Sequence, residues 1–233
     1  MKSKIGLVVG GSGSLGSQVV SVFKRNGWKI LNIDVNQNDK ADVNIQLSKE
    51  KKIQDQISLI HETTKSFSTN FDSIICTAGG FDMGSIREAT LFEKYERLDK
   101  MNAQSALLAG HLAAHYLGEQ GFICLTGAAS VFEGPTNYAF AYGITKSATH
   151  ALALHLSERT DIPASSTVCT ILPTMIDNEA NRQAMPNDDK SSWLPPEKIA
   201  ELLKAWAEGE NRPQNGSFAK LSYKNQCVIP EFL

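Results

Sequence analysis

The chain has 233 residues, of which 42% are hydrophobic and 21% charged, enough for one well-packed core and short for two domains. Its 23 basic and 25 acidic residues leave a formal net charge of −2, which lacks the electrostatic footprint of a nucleic-acid or anionic-membrane binder. The four cysteines (Cys76, Cys124, Cys169 and Cys227) show no C-x-x-C spacing, which argues against a disulfide framework or zinc site and fits a reducing compartment.

Short β-branched runs alternate with longer helical patterns along the chain, the signal of an α/β fold with a parallel sheet. The start, Met1-Lys2-Ser3-Lys4-Ile5-Gly6-Leu7-Val8-Val9, faintly imitates a signal peptide, but the apolar part is short and runs into glycines with no small-residue cleavage site. A first strand over residues 4–10 is expected instead. No window approaches the 18 or more apolar residues of a membrane span, so a cytoplasmic protein is expected.

Directly after that strand comes Gly10, then Gly11-Ser12-Gly13-Ser14-Leu15-Gly16, a G-x-G-x-x-G that opens a helix predicted over 14–26. Gly11 permits the tight turn, Gly13 lets the backbone reach a pyrophosphate, and Gly16 lets helix and strand pack closely. The free N–H groups at the helix start then face the phosphates. The second strand, Lys29–Asp34, ends in an acid 18 residues after Gly16, where a carboxylate can hold both hydroxyls of an adenosine ribose. It repels a 2′-phosphate and no Arg or Lys directly follows it, so NADH is expected as cofactor, with NADPH the weaker alternative.

A weaker strand at 43–47 leads into a helix at 48–66, whose Lys49-Glu50-Lys51-Lys52 reads as a solvated start. The strand at 73–77 ends in Cys76-Thr77-Ala78-Gly79-Gly80, small residues against whose backbone a flat cofactor can lie. A helix at 100–117 carries Asn102, and also His111 and His115 at the spacing used for zinc. No third ligand or Glu is placed with them, so no metal site is expected. A strand at 122–126 follows.

The helix at 140–158 contains Tyr142-Gly143-Ile144-Thr145-Lys146, with Tyr142 and Lys146 about one turn apart on one face. A phenol ordinarily titrates near 10, and an ammonium about 4 Å away at an effective dielectric near 20 favours the phenolate by about 4 kcal/mol. That spacing predicts a phenol pulled toward neutral pH. Beyond a strand at 167–172 lies a polar, Pro-bounded stretch, 177–195, longer than a usual connection and read as a substrate lid. A last helix at 196–208 has Pro at its first turn and Gly209 past its end, before a weak strand at 217–221. The whole reads as a single-domain Rossmann fold over 1–233: a doubly wound parallel sheet of about seven strands with helices on both faces.

The glycine-rich first turn, Ala78-Gly79 after strand four, Asn102 on the next helix and Tyr142-x-x-x-Lys146 together resemble the short-chain dehydrogenase/reductase family, from Lys4 to about Pro173. The resemblance implies that Tyr142, Lys146 and Asn102 are the catalytic residues, with Asn102 holding a water in the proton path behind the other two. It also implies that Lys146 bonds the nicotinamide ribose and that Pro173 lies on the cofactor. It implies a homodimer through helices 100–117 and 140–158, which carry His111, His115, His150 and His155. Two departures stand out. The family's catalytic Ser, 13 residues before the Tyr, corresponds here to Ala129, and Pro173-Thr174 replaces the usual Pro-Gly. Ser130 and Thr126 are near, but the site is expected to lack that hydroxyl.

The departures point to one branch. Gly80-Phe81, Asn181-Arg182-Gln183-Ala184-Met185-Pro186, Ser191-Ser192-Trp193 and Asn211-Arg212-Pro213-Gln214-Asn215-Gly216-Ser217 resemble the family's quinonoid dihydropteridine reductases. That branch implies reduction of a quinonoid 6,7-dihydropterin to the tetrahydropterin. A carbonyl needs polarising at oxygen, whereas a quinonoid dihydropterin is already an electron-poor conjugated imine, so an Ala at this place costs little. Phe81 either stacks on the pterin or packs on its own domain; Trp193 has the same two readings, with packing preferred. Two other functions remain open: reduction of a ketone or quinone on the same fold, and an NAD(H)-binding regulator without turnover.

Overall fold

The computed structural model describes residues 3–233; Met1 and Lys2, where the signal-like segment begins, lie outside the described residues. Strand β1 (Ile5–Val9) leads through the glycine turn into α1 (Ser14–Arg25), followed by β2 (Lys29–Asp34), β3 (Val43–Gln46), α2 (Ile53–Phe67) and β4 (Phe71–Cys76). Then come α3 (Leu91–Leu98), a π-turn (Asp99–Gln104), α4 (Ser105–Tyr116) and β5 (Leu117–Thr126). The rest is α5 (Ala129–Glu133), α6 (Phe140–Ser157), β6 (Thr167–Pro173), α7 (Glu179–Ala184), α8 (Pro196–Ala207), β7 (Ser217–Lys224) and β8 (Cys227–Phe232).

The strands form an eight-stranded sheet in the order β3-β2-β1-β4-β5-β6-β7-β8, with β8 antiparallel to β7 and the others parallel. Alternation along each strand divides the core into two layers. Leu7 and Val9 of β1 face a cluster with Ile60 of α2, Leu112 of α4 and Ala153 of α6. Val8 faces the opposite cluster, where Val19 and Phe23 of α1 meet Leu203 and Trp206 of α8. Buried on both faces, such strands read as continuous apolar runs. Truncating Phe23, buried in the second layer, to Ala would cost about 3–5 kcal/mol.

This winding places β1 beside β4 at the point where strand order reverses, so a crevice opens at their carboxyl ends. Gly10–Gly16 and the Thr77–Gly80 turn both emerge there. Among the described residues, no helix is long and apolar enough to cross a membrane.

Several elements differ from the sequence-based expectation: α3 and α5 were not expected, and the helix expected over 100–117 is split into the π-turn and α4. The sheet has an eighth strand, because Asn225 and Gln226 both take positive φ (51° and 63°) and turn the chain back as a tight hairpin. Pro230 sits in that edge strand, where a missing N–H is tolerated. Helix α2 starts at Ile53, not residue 48, because the Gln56 side chain accepts from Ser48 N–H (2.7 Å) and donates to Ser48 O (3.2 Å), holding 48–52 as a turn. Strand β5 begins five residues earlier than the expected 122, at Leu117, across a bulge opposite Phe71 and Ser73.

Candidate active site

The glycine turn is built for close approach. Gly10 has φ +88°, and a Cβ on it would stand 2.3 Å from the Ala78 nitrogen; a Cβ on Gly16 would stand 2.0 Å from the Gly10 carbonyl oxygen. Gly13, by contrast, is exposed and caps α1 without a side-chain hydrogen bond, and the first turn holds no acidic residue. The amides of Ser14, Leu15 and Gly16 thus begin a helix whose positive end is open to an anion. Asp34 is held at the tip of β2, its Oδ2 accepting from Ser12 N–H (2.9 Å) and its Oδ1 from Asn36 N–H (3.2 Å). Ser12 Oγ donates to the Asn36 carbonyl (2.8 Å), so turn and strand end form one unit.

Two asparagines that the sequence reading missed support this turn from below. Asn32, fully buried, donates to Ser12 Oγ (3.2 Å) and Asn44 Oδ1 (2.8 Å), and Asn38 donates to the Gly11 carbonyl (2.6 Å). An Asn in a central strand is unfavourable on propensity alone, and that was the available signal.

At the other end, Gly84 N–H donates to Tyr138 O (2.8 Å) and Phe140 N–H to Gly84 O (2.9 Å), docking the loop after β4 onto the start of α6. That docking sets the Phe81 ring edge-on to Tyr142, centroids 4.9 Å apart at 74°, while 56% of Phe81 stays exposed. Lys146, one turn further along α6, is 4% exposed, and its Nζ donates to the Thr126 carbonyl at 2.7 Å. Gly79 packs over it: a Cβ there would lie 3.2 Å from Lys146 Nζ and 3.1 Å from Asn102 Oδ1. Asn102 sits in the π-turn, a local widening common at functional positions. Its Oδ1 accepts from Gly80 N–H (2.9 Å), and its Nδ2 donates to Gly80 O (3.1 Å) and Thr145 Oγ1 (2.9 Å). The structure therefore brings Tyr142, Lys146, Asn102, Phe81 and the Gly79-Gly80 turn together.

The electrostatics correct one expectation. Burial, reinforced by Tyr138, pushes the Tyr142 phenol up to about 12, and burial pulls the Lys146 ammonium down to about 8. Lys146 directs its N–H to Thr126, and desolvation dominates at the phenol, so Tyr142 is not drawn toward neutrality.

Ala129, in the place of the family's serine, is buried at the start of α5 (4% exposed). Thr126 Oγ1 donates to the Cys76 carbonyl at 2.8 Å, so that hydroxyl is engaged, and Ser130 is exposed. His150 packs inward: its Nε2 accepts from Ala128 N–H (3.2 Å), and its ring meets Phe132 and Phe218.

Segment 177–195 folds as α7 and turns, anchored at both ends by Asp177 N–H to Leu194 O (2.8 Å) and Leu194 N–H to Met175 O (2.7 Å). Arg182 forks onto Asp177 at 2.5 and 2.8 Å. Trp193 is 5% exposed with Lys190 over its ring, so its burial supports packing and not a substrate-facing role. A cleft of ≈ 460 Å³ opens between the start of α1 (Ser14, Ser17, Gln18) and Asp177, Asn178 and Arg182. Neither Tyr142 nor Lys146 lines it; it belongs to the phosphate end. Pro173 is half-buried at the end of β6, with Thr174 tied to Leu221 O. The four cysteines are free, Cys76, Cys124 and Cys169 being buried. Away from this crevice, the expectation that His111 and His115 lack a third partner is corrected: His61 of α2 joins them.

A doubly wound sheet with a glycine turn at its switch point and a Tyr–Lys pair beside it defines a dinucleotide-dependent oxidoreductase class. The profile of the family described as short chain dehydrogenase matches residues 4–189. The chain therefore belongs to the short-chain dehydrogenase/reductase family. It is 34% identical over 228 residues to a dihydropteridine reductase of Dictyostelium discoideum, covering 97% of each chain. Among solved structures it is similar to a short-chain dehydrogenase family protein of Francisella tularensis (22% identity, TM-score 0.78, 94% of this chain and 97% of that one). It is also similar to a short-chain dehydrogenase of Shigella flexneri 2a complexed with NADP (15% identity, TM-score 0.79, 94% of this chain and 97% of that one). At these identities the two structures speak to the fold alone.

Proposed function

We propose that the chain reduces a quinonoid 6,7-dihydropterin to the 5,6,7,8-tetrahydropterin, with NADH as its dinucleotide and Tyr142 as proton donor. The observation that carries this reading is buried Ala129 where a carbonyl reductase needs Ser, with the nearby Thr126 hydroxyl engaged on Cys76 O. The likeness to the Dictyostelium discoideum dihydropteridine reductase supports it.

The residues present fit a dinucleotide. Side chains at Gly10 and Gly16 would collide with backbone, and the uncapped start of α1 offers amides to phosphates. When bound, the dinucleotide supplies hydride. Gly10, Gly11, Ser12, Gly13, Ser14, Leu15 and Gly16 cradle its phosphates, and Asp34 takes the adenosine ribose hydroxyls. Ala78, Gly79, Gly80 and Pro173 flank it, and Lys146 takes the second ribose. The carboxylate of Asp34 disfavours a 2′-phosphate, so NADH is preferred over NADPH.

Tyr142, held protonated through the neutral range, donates a proton to a pterin ring nitrogen. Phe81, exposed and edge-on to Tyr142, offers a face for the pterin to stack on. Asn102 holds the Gly79-Gly80 turn against α6 through three side-chain bonds, which makes it a positioning residue. Leu107, Ile144 and Leu154 leave apolar surface on α4 and α6, which suits a homodimer through these helices. The buried free cysteines suit the cytoplasm.

The test is NADH consumption, read by absorbance, with freshly generated quinonoid dihydrobiopterin. The expected result is a rate proportional to enzyme and saturable in both reactants. Turnover of ketones or quinones with none of the pterin would overturn the reading, as would NADH binding without oxidation by any acceptor.

A further inference from the structure

Outside the crevice, three histidines converge on one point. His111 and His115 stand one turn apart on α4, and His61 reaches them from α2. Their ligand atoms all lie within 4.8 Å of one another, and His61 Nε2 is 2.8 Å from His111 Nε2. The rings meet edge to face at centroid separations of 5.0, 5.0 and 4.7 Å.

The third ring is set by a neighbour. Tyr116 OH lies 2.8 Å from His61 Nδ1 and 3.4 Å from the His61 carbonyl oxygen. With the phenol assigned as donor to that carbonyl, it accepts from Nδ1–H, the tautomer that leaves His61 Nε2 with its lone pair toward the other two histidines. Metal-bound histidines are oriented in this way by a partner on the far ring nitrogen. Tetrahedral coordination at 2.0–2.1 Å places nitrogens about 3.3 Å apart, a value bracketed by the 2.8 and 4.8 Å found here. Small rotations of the exposed His111 and His115 rings close the difference.

We propose that His61, His111 and His115 form a site for a borderline divalent transition-metal ion of the zinc, nickel and copper class, cross-linking α2 to α4. Three neutral imidazoles without a carboxylate select such ions over Mg²⁺ and Ca²⁺, which demand oxygen. With His61 Nε2 as the acceptor, the ion displaces the Nε2 proton of His111, which moves to His111 Nδ1 through solvent. Three protein ligands leave a fourth position to water. The site is separate from the pterin chemistry and stands or falls without it.

The experiment is isothermal titration calorimetry of ZnCl₂ into full-length, tag-free protein stripped with a chelator, with MgCl₂ in parallel. We expect saturable binding of one zinc ion per chain and none of magnesium. His61→Ala and His111→Ala should each weaken it at least tenfold, while Cys227→Ser and His155→Ala leave it unchanged. Zinc should raise the melting temperature of the wild type and not of the His61→Ala/His111→Ala double variant. To guard against misfolding, Tyr116→Phe, which removes only the orienting hydroxyl, should weaken binding several-fold while retaining wild-type circular dichroism. Absence of saturable zinc binding, binding retained in the double variant, or binding lost in Cys227→Ser would overturn the proposal.

Discussion

His150 Nε2 accepts the Ala128 amide N–H at 3.2 Å, one helical turn beyond Lys146, whose Nζ donates to the Thr126 carbonyl at 2.7 Å. Helix α6 thus grips the end of β5 at two neighbouring points. The grip requires a neutral imidazole, since a protonated ring has no lone pair to receive an amide.

Burial first, then the charge of Lys146, hold the His150 pKa down at about 4, against about 6.5 in an unfolded chain. Between those values the unfolded state binds a proton that the native state refuses. The stability from His150 is therefore complete above pH 6.5 and is lost as pH falls to about 4. Because the ring is only partly shielded from solvent, the loss is about 1–2 kcal/mol. Urea unfolding at pH 7.5, 6 and 5 should show the wild type losing more stability than His150→Gln over this window. Parallel profiles would refute the account.

Tyr142→Phe should lower kcat with the pterin at least tenfold, the low end for loss of a general acid, because spontaneous pterin chemistry leaves a residual rate. The edge contact with Phe81 survives the change, so melting temperature should hardly move. An unchanged kcat would remove Tyr142 from the proton path.

The parallel strands and the glycine turn were legible because both rest on local pattern: buried parallel strands are apolar throughout, and a turn that brings backbone within 2.0 Å of a would-be Cβ admits only glycine. Tyr142 and Lys146 were legible as a pair sharing a face, but their electrostatics were not. Spacing says nothing of solvent, and here burial and the neighbouring Tyr138 raise the phenol while Lys146 aims at a carbonyl 20 residues away in sequence. Strand β8 was hidden because Asn225-Gln226 turns through positive φ without the usual glycine. His61 stands 50 residues from His111, a proximity only the packing of α2 on α4 reveals.

Asp34→Asn preserves an oxygen for the Ser12 amide and removes the charge that repels a 2′-phosphate. The ratio of kcat/KM for NADPH to that for NADH should rise on the order of tenfold, about 1.4 kcal/mol, mainly through KM. A ratio that stays put would show that Asp34 does not read the ribose.

Ala129→Ser restores the hydroxyl that polarises a carbonyl. Ala129 is buried against the first core layer, so an added oxygen without a partner costs about 1–3 kcal/mol of stability. That is tolerable in a fold of ordinary stability and readable as a lower melting temperature. If the quinonoid ring needs no help at oxygen, kcat with the pterin should change less than threefold, while kcat/KM for activated ketones should rise on the order of tenfold. Ala128→Ser, one residue earlier where the amide is already held by His150, should produce a smaller gain. Steady-state kinetics on both substrate classes decide it: if neither variant alters the balance between pterin and ketone, the missing hydroxyl does not explain the substrate.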